Sequence, residues 1–196
     1  HGEIPKISSI EKIIHFPPCE IEAMKELVQH NKKLKFDEKN KIWKKDEYVE
    51  LGIHGQGSSF AVELIYHIEK EELFVVKKSN GISNENFQKL TLRQLSIFSK
   101  FNYPFLPKLY GKIKDNTNEY LVVQFINGQT LQNIQNIHLN EKEKMTIIFE
   151  IMLIINYFHQ NKFVYRDLKP DNIMIDKNKT VFIIDFDSCK EFNEFD

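Results

Sequence analysis

The sequence predicts an α+β fold in which strands come first and the longest helix comes late. Two patterns carry that expectation. Runs of β-branched and aromatic residues bounded by polar turns fill the stretch from Tyr48 to Val123, and an Asn140/Glu143 capping-box signature opens a long apolar helix. A chain of 196 residues, 41% of them hydrophobic, holds enough apolar material for one core with an extension beside it.

Residues 1–47 read as that extension. Pro17-Pro18 breaks the chain, and Glu20–His30 then reads as a short helix with Ile21, Met24, Leu27 and Val28 on one face. Glu20 and Glu22 lie in its first turn, where the helix dipole favours them. Lys32, Lys33, Lys35, Lys39, Lys41, Lys44 and Lys45 outnumber Asp37 and Glu38. This run is read as a solvated linker, with a docking surface for an acidic partner as the alternative. Trp43 is expected to cover the strand-rich part that follows or to anchor the extension.

Tyr48–Leu51, Ala61–Ile68 and Leu73–Lys77 follow as short strands. Glu85–Phe101 reads as a helix closed off by Asn102, Pro104 and Pro107. Ile113-Lys114 and Tyr120–Phe125 form a hairpin across the polar turn Asp115–Asn118, and Asn127-Gly128 ends it. The capped helix runs to about Gln160, and the strands Ile173–Ile175 and Val181–Ile184 flank a Lys177-Asn178-Lys179 turn.

Composition narrows the function classes. Lys+Arg 27 against Asp+Glu 28 leaves a formal charge of −1, so no global basic field points to nucleic acid or membrane. Cys19 and Cys189 allow at most one bridge and belong to no C-x-x-C pair. The longest apolar run, Ile151–Ile155, falls far short of the ~20 residues of a membrane span. With no signal-peptide pattern visible, the expected setting is intracellular and cytoplasmic. The opening His1-Gly2 reads as a processed start rather than a natural one.

The chemistry concentrates in Tyr165-Arg166-Asp167-Leu168-Lys169-Pro170-Asp171-Asn172 and, after a hairpin, Asp185-Phe186-Asp187. Asp167, Asn172 and Asp185 are hard oxygen ligands or bases, and Lys169 supplies a cation. A carboxylate and an amide, completed by phosphate oxygens, suit Mg²⁺. A carboxylate beside a lysine can accept a hydroxyl proton while the cation holds a phosphoryl group. Upstream, Gly55-Gln56-Gly57 at a strand turn lets backbone N–H groups approach phosphates that Lys77 could also reach. Alone, that glycine pair more often marks an ordinary hairpin.

Taken in order, these blocks resemble a eukaryotic-type protein kinase over roughly residues 48–196. Gly55, Gly57 and Val62 match the glycine-rich loop, and Phe74-Val75-Val76-Lys77 matches V-A-I-K, with Lys78 the less favoured register. Asn102-Tyr103-Pro104, Leu121–Phe125 and Tyr157-Phe158-His159 match the turn after the αC-type helix, the strand into the hinge, and the end of the large-lobe helix. The catalytic loop matches H-R-D-L-K-P-x-N apart from Tyr165, and the spacings from Val62 to Lys77 and from Asp167 to Asp185 are those of the family.

The resemblance implies a protein-kinase-like α+β fold: a β-rich small lobe (48–126) with one αC-type helix, and the start of a helical large lobe (127–196). It implies ATP and Mg²⁺ as cofactors and a protein substrate with a Ser or Thr acceptor. By the same resemblance, Asp167 would orient and deprotonate the acceptor hydroxyl and Lys169 would contact the γ-phosphate. Asn172 and Asp185 would hold Mg²⁺, Lys77 would pair the α/β-phosphates, and Val62, Val75, Val123 and Met174 would enclose adenine.

Four departures weigh against a plain assignment. Phe60 replaces the third loop glycine, Gln94 the helix glutamate, Val75 the usual alanine, and Asp187 the glycine of D-F-G. The chain also stops soon after Asp187, so the expectation is a fragment of a longer kinase. The alternative to an enzyme is a pseudokinase, acting as a nucleotide-binding regulatory or scaffold module.

Overall fold

The computed structural model describes residues 41–56, 60–136 and 139–192. The short helix over Glu20–His30, Cys19, most of the lysine run, and Gly57 lie outside the described residues. Two compact units divide the chain. One takes Pro107–Ile126 with the described part of Phe36–Ser99, and the other takes Lys100–Leu106 with the described part of Asn127–Asp196.

The first unit is built on a six-stranded sheet. Its strands are β1 (Ile42–Trp43), β2 (Tyr48–Gln56), β3 (Phe60–His67), β4 (Glu72–Ser79), β5 (Leu109–Lys114) and β6 (Glu119–Gln124), in the order β1-β5-β6-β4-β3-β2. Helix α1 (Asn84–Lys100) lies between β4 and β5 in sequence and buries Phe87, Thr91, Gln94, Ile97 and Phe98, a helical spacing that makes one face. Ser83 opens α1, its hydroxyl accepting from the Asn86 N–H. At the outer edge, β2 leaves Val49, Leu51 and Ile53 exposed, and its ladder with β3 shifts register between Glu50 and Gly52 and again between Ile53 and Gly55.

Strand β1 is one of the short elements that the sequence reading misses. Two residues at the end of a lysine run give no period, yet Ile42 and Trp43 pair in parallel with Lys112 and Ile113 of β5. Trp43 explains why. Its ring is buried in a cluster with Tyr48, Ile65, Phe74, Val76 and Val122, and its indole Nε1–H donates to the Tyr110 carbonyl at 2.8 Å. Gly111 makes room for this approach. Its φ is +132°, and a Cβ there would stand 2.5 Å from the Lys41 carbonyl oxygen. Of the lysine run, Lys41 pairs with Glu47 at 2.9 Å and Lys45 hydrogen-bonds Glu50, so their charge is answered within the unit.

The second unit gathers around helix α2 (Glu141–Gln160). The expected capping box forms: Glu143 N–H donates to Asn140 Oδ1 and Asn140 N–H to Glu143 Oε2, both at 2.9 Å. Strands β7 (Gly128–Thr130), β9 (Ile173–Asp176) and β10 (Val181–Ile183) make a three-stranded sheet in the order β10-β9-β7, and β8 (Phe163–Val164) pairs with β11 (Lys190–Glu191). Gly128 therefore starts a strand rather than ending one. A Cβ on it would lie 2.1 Å from the Ile175 carbonyl oxygen, so only glycine lets β7 approach β9 this closely. Tyr103 stacks on Tyr157 of α2 with centroids 4.2 Å apart, and Phe101 packs edge-on against Phe158 and Phe163. Among the described residues, no helix is long and apolar enough to cross a membrane.

Glu150 is the charged group buried on α2. One of its carboxylate oxygens accepts from the Val181 N–H at 2.8 Å, which ties the helix to β10. Burial, aided by the charge of Asp176, pushes the carboxyl up to about 7 even though the Val181 bond pulls the other way.

Two outcomes are expected. Trp43→Ala should lower the unfolding free energy by about 3–5 kcal/mol in urea denaturation, the range for deleting a buried large aromatic. For Glu150, the folded-state value lies above that of an unfolded glutamate, so its stabilising neutral form is complete below about 4.5 and is lost as pH rises through about 7. Glu150→Gln keeps the acceptor without the charge. Urea unfolding should then show the variant gaining on the order of 1–3 kcal/mol at pH 8 with little change at pH 4.

Candidate functional site

Within the first unit, strand register collects the residues that the sequence singles out. Val62 stands opposite Lys77 across the β3–β4 ladder, and Val75 stands opposite Val123 across β4–β6. Side chains directly opposite in an antiparallel pair share a face, and residues two apart on one strand share it too. Val62, Val75, Lys77 and Val123 therefore line a single face of the sheet. Gly55 pairs with Val62 just past the second register shift in β2, which brings the start of the glycine loop to the same place.

Lys77 is only 8% exposed on that face. Its neighbour Lys78 points to the other side of the sheet, where it pairs with Glu63 and reaches Glu50 at 3.8 Å. The sheet therefore separates the two lysine registers, burying one and leaving the other among surface carboxylates. Phe60, read from sequence as a lost glycine, is a core residue 6% exposed. Its ring lies 5.5 Å from that of Phe87 on α1, and Lys77 Nζ sits 5.4 Å from its centroid. Gln94 is fully buried on α1.

In the second unit the loop between β8 and β9 is fixed by its own polar groups. Asp167 Oδ2 accepts from Lys169 Nζ at 2.9 Å and from Asn172 Nδ2 at 2.9 Å, and Asn172 Nδ2 also donates to the Asp167 carbonyl at 3.0 Å. Pro170 opens a short 3-10 turn, Pro170–Asn172, that holds Asn172 within reach and buries it. The Lys169 ammonium holds the Asp167 carboxyl below the usual carboxylate range, with the Asn172 bond adding to the effect. Asp167 nevertheless keeps about a third of its side chain exposed, so an ionised carboxylate faces solvent there.

The β9–β10 register then carries Asp185 to the same place. Ile173 pairs with Ile183, and one step further the Ile184 N–H donates to the Asn172 carbonyl at 3.0 Å. Asp185 is the next residue, and its Oδ1 accepts from the Asp187 N–H at 3.1 Å. Met174, on β9, pairs with Phe182 on one side and Thr130 on the other. Asp187 is absent from the positive-φ residues of the described chain, so position 187 demands no left-handed backbone. Arg166 does adopt it, at φ +67°, and its Nε–H donates to the Ser188 carbonyl at 2.6 Å. That bond ties the loop between β8 and β9 to the segment after Asp185. Burial, and then the charge of Asp185, raises the Tyr165 hydroxyl above its ordinary range, so it stays protonated.

The donor set suits a hard cation. Asn172 Nδ2 is committed to Asp167, which leaves the amide's carbonyl oxygen as its remaining polar atom, and the Asp185 carboxylate supplies charge. Among the described residues no group of three His, Cys, Asp or Glu side chains could hold a metal. An ion here would draw on oxygen atoms of Asn172 and Asp185 together with those of its ligand, the coordination Mg²⁺ accepts.

The packing of Phe60 against Phe87 and the Arg166–Ser188 tie are the site features that sequence reasoning passes over. The first was legible as the next same-face residue before Val62. The second is a backbone contact without a sequence signal. Asn172→Ala, which removes both bonds to Asp167, should cost about 1–3 kcal/mol in urea unfolding.

The protein kinase domain family model matches residues 48–195. The chain is 32% identical over 152 residues to a protein kinase C-like protein of Hypocrea jecorina, covering 74% of this chain and 13% of that one. It is 26% identical over 193 residues to protein kinase C-like 2 of Schizosaccharomyces pombe, covering 95% and 18%. With an Aurora kinase of Eremothecium gossypii it shares 28% identity over 142 residues, covering 70% and 39%. The chain thus spans well under half the length of these curated relatives.

Proposed function

This chain belongs to the protein kinase domain family, and from that premise we propose that its protein transfers the γ-phosphate of ATP to Ser or Thr hydroxyls of protein substrates. The observation that carries the reading is the hydrogen-bonded set of Asp167, Lys169 and Asn172, with Asp185 delivered beside it by the β9–β10 register.

Each residue then has a task its chemistry allows. Val62, Val75 and Val123 offer apolar contact to adenine. Gly55 and Gly57 let backbone N–H groups near the phosphates, and Lys77 pairs the α- and β-phosphates. Asn172 and Asp185 hold Mg²⁺, which neutralises charge on the phosphate oxygens when bound. Asp167 accepts a hydrogen bond from the acceptor hydroxyl and so aims its oxygen at the γ-phosphorus. As the new O–P bond forms, the bond from the γ-phosphorus to the β–γ bridging oxygen breaks and ADP leaves. The hydroxyl proton passes to Asp167. The Lys169 contact keeps Asp167 ionised, the state that orienting the hydroxyl and accepting its proton require. Lys169 places a cation where charge develops on the transferred group.

The scaffold alternative rests on Phe60, Gln94 and Asp187. Phe60 packs in the core and Asp187 has no left-handed backbone, so neither strains the chain, and the family match favours the enzyme reading.

Phosphoryl transfer by the full-length protein, followed with γ-labelled ATP beside a nucleotide titration, tests the proposal. Asp167→Ala should lower kcat by about 10²- to 10⁴-fold, the usual range for a lost general base, while ATP affinity stays within about twofold. Equal background rates for the wild type and Asp167→Ala would sink the enzyme reading and leave the scaffold.

A further inference from the structure

Lys77 is a lysine buried on the apolar face of a sheet, and its directly paired neighbours are Val62 on β3 and Leu121 on β6. Diagonal to it across β3 lies an aromatic residue. Phe60 pairs with Ser79, two places from the Val62–Lys77 pair and on the same face, and diagonal neighbours lie within reach of aromatic and long side chains. The Lys77 ammonium stands 5.4 Å from the Phe60 centroid, inside the distance at which a ring face attracts a cation.

The ring cannot move away easily. Phe87 of α1, fully buried, packs against it at 5.5 Å, and Tyr120 of β6 backs Phe87 at 5.6 Å. Helix, ring and lysine therefore form one stack, in which the placement of α1 is felt at the ammonium through two aromatic side chains. A glycine or any aliphatic residue at position 60 would supply no such face.

We propose that Phe60 is a positioning residue for Lys77: its ring, clamped by Phe87, holds the lysine ammonium by a cation–π contact in the place where it meets the phosphates of ATP. The nucleotide half of this proposal rests on the reading given under Proposed function. A π face attracts the ammonium without acting as a conventional hydrogen-bond acceptor, so the contact itself occupies no N–H donor that phosphate oxygens would need.

The test uses the full-length protein with Phe60→Leu, Phe60→Tyr, and a series of fluorinated phenylalanines at position 60. Fluorination drains the ring face of negative charge while nearly keeping its shape, so it remains informative if the leucine variant folds poorly. Two readouts are taken: the ring-current shift of the Lys77 ε-methylene protons by NMR, and Mg·ATP affinity by titration. Phe60→Leu should abolish the upfield shift and weaken Mg·ATP by about 3- to 10-fold, Phe60→Tyr should restore both, and affinity should fall stepwise with fluorination. A Lys77 shift that is unchanged in Phe60→Leu would overturn the proposal by showing that the contact does not exist. Affinity indifferent to fluorination would overturn it by showing that the ring merely fills space. If the wild type shows the shift but binds no Mg·ATP, the contact stands and the nucleotide-binding reading fails instead.

Discussion

Asn172 joins nearly everything in the second unit that has chemical consequence. Its side-chain amide donates twice to Asp167, its backbone N–H donates to the Lys169 carbonyl, and its own carbonyl accepts from the Ile184 N–H. One residue thereby sets the direction of the carboxylate, closes the turn after Pro170, and fixes the hairpin register that delivers Asp185. Because Asn172 is buried, its bonds form away from competing water, and losing the amide would leave the Asp167 carbonyl and carboxylate short of partners.

The first unit solves a different problem. Strand register places a lysine on an apolar face there, with an aromatic ring beside its ammonium. The contrast with Lys78 shows how finely this works: a step of one residue along β4 exchanges a buried lysine beside Phe60 for one engaged by Glu63 and Glu50. Glu150 belongs to the same set of buried ionisable groups. There the cost of burial is met by a single backbone N–H, and the carboxyl responds by holding its proton to higher pH.

How much of this was legible in the sequence depended on whether the signal was local. The capping box at Asn140 and Glu143, the helix with Phe87 and Gln94 on one face, and the strands around Val62 and Val75 all follow from nearby periodicity. The loop from Asp167 to Asn172 was legible as a motif, although its internal bonds were not. Strands β1, β7, β8 and β11, of two or three residues each, were missed because they exist only through distant partners. Trp43 and Gly111 show this: neither announces a strand alone, and the missing side chain at Gly111 is what lets the Trp43 ring come close. Phe60 was misread because a pattern comparison scores what is missing, whereas packing depends on what is present.

Strand β2 ends the sheet, and exposed edges of this kind are where chains of different molecules find each other. Its exposed Val49, Leu51 and Ile53 would make an inviting template if the strand ran straight. The two register shifts, between Glu50 and Gly52 and between Ile53 and Gly55, interrupt that template, because a bulge bends and twists the strand that carries it. The irregularity that prepares the chain for its glycine loop therefore also guards it against edge-to-edge aggregation. A variant that straightened β2 would threaten solubility together with the approach to Gly55.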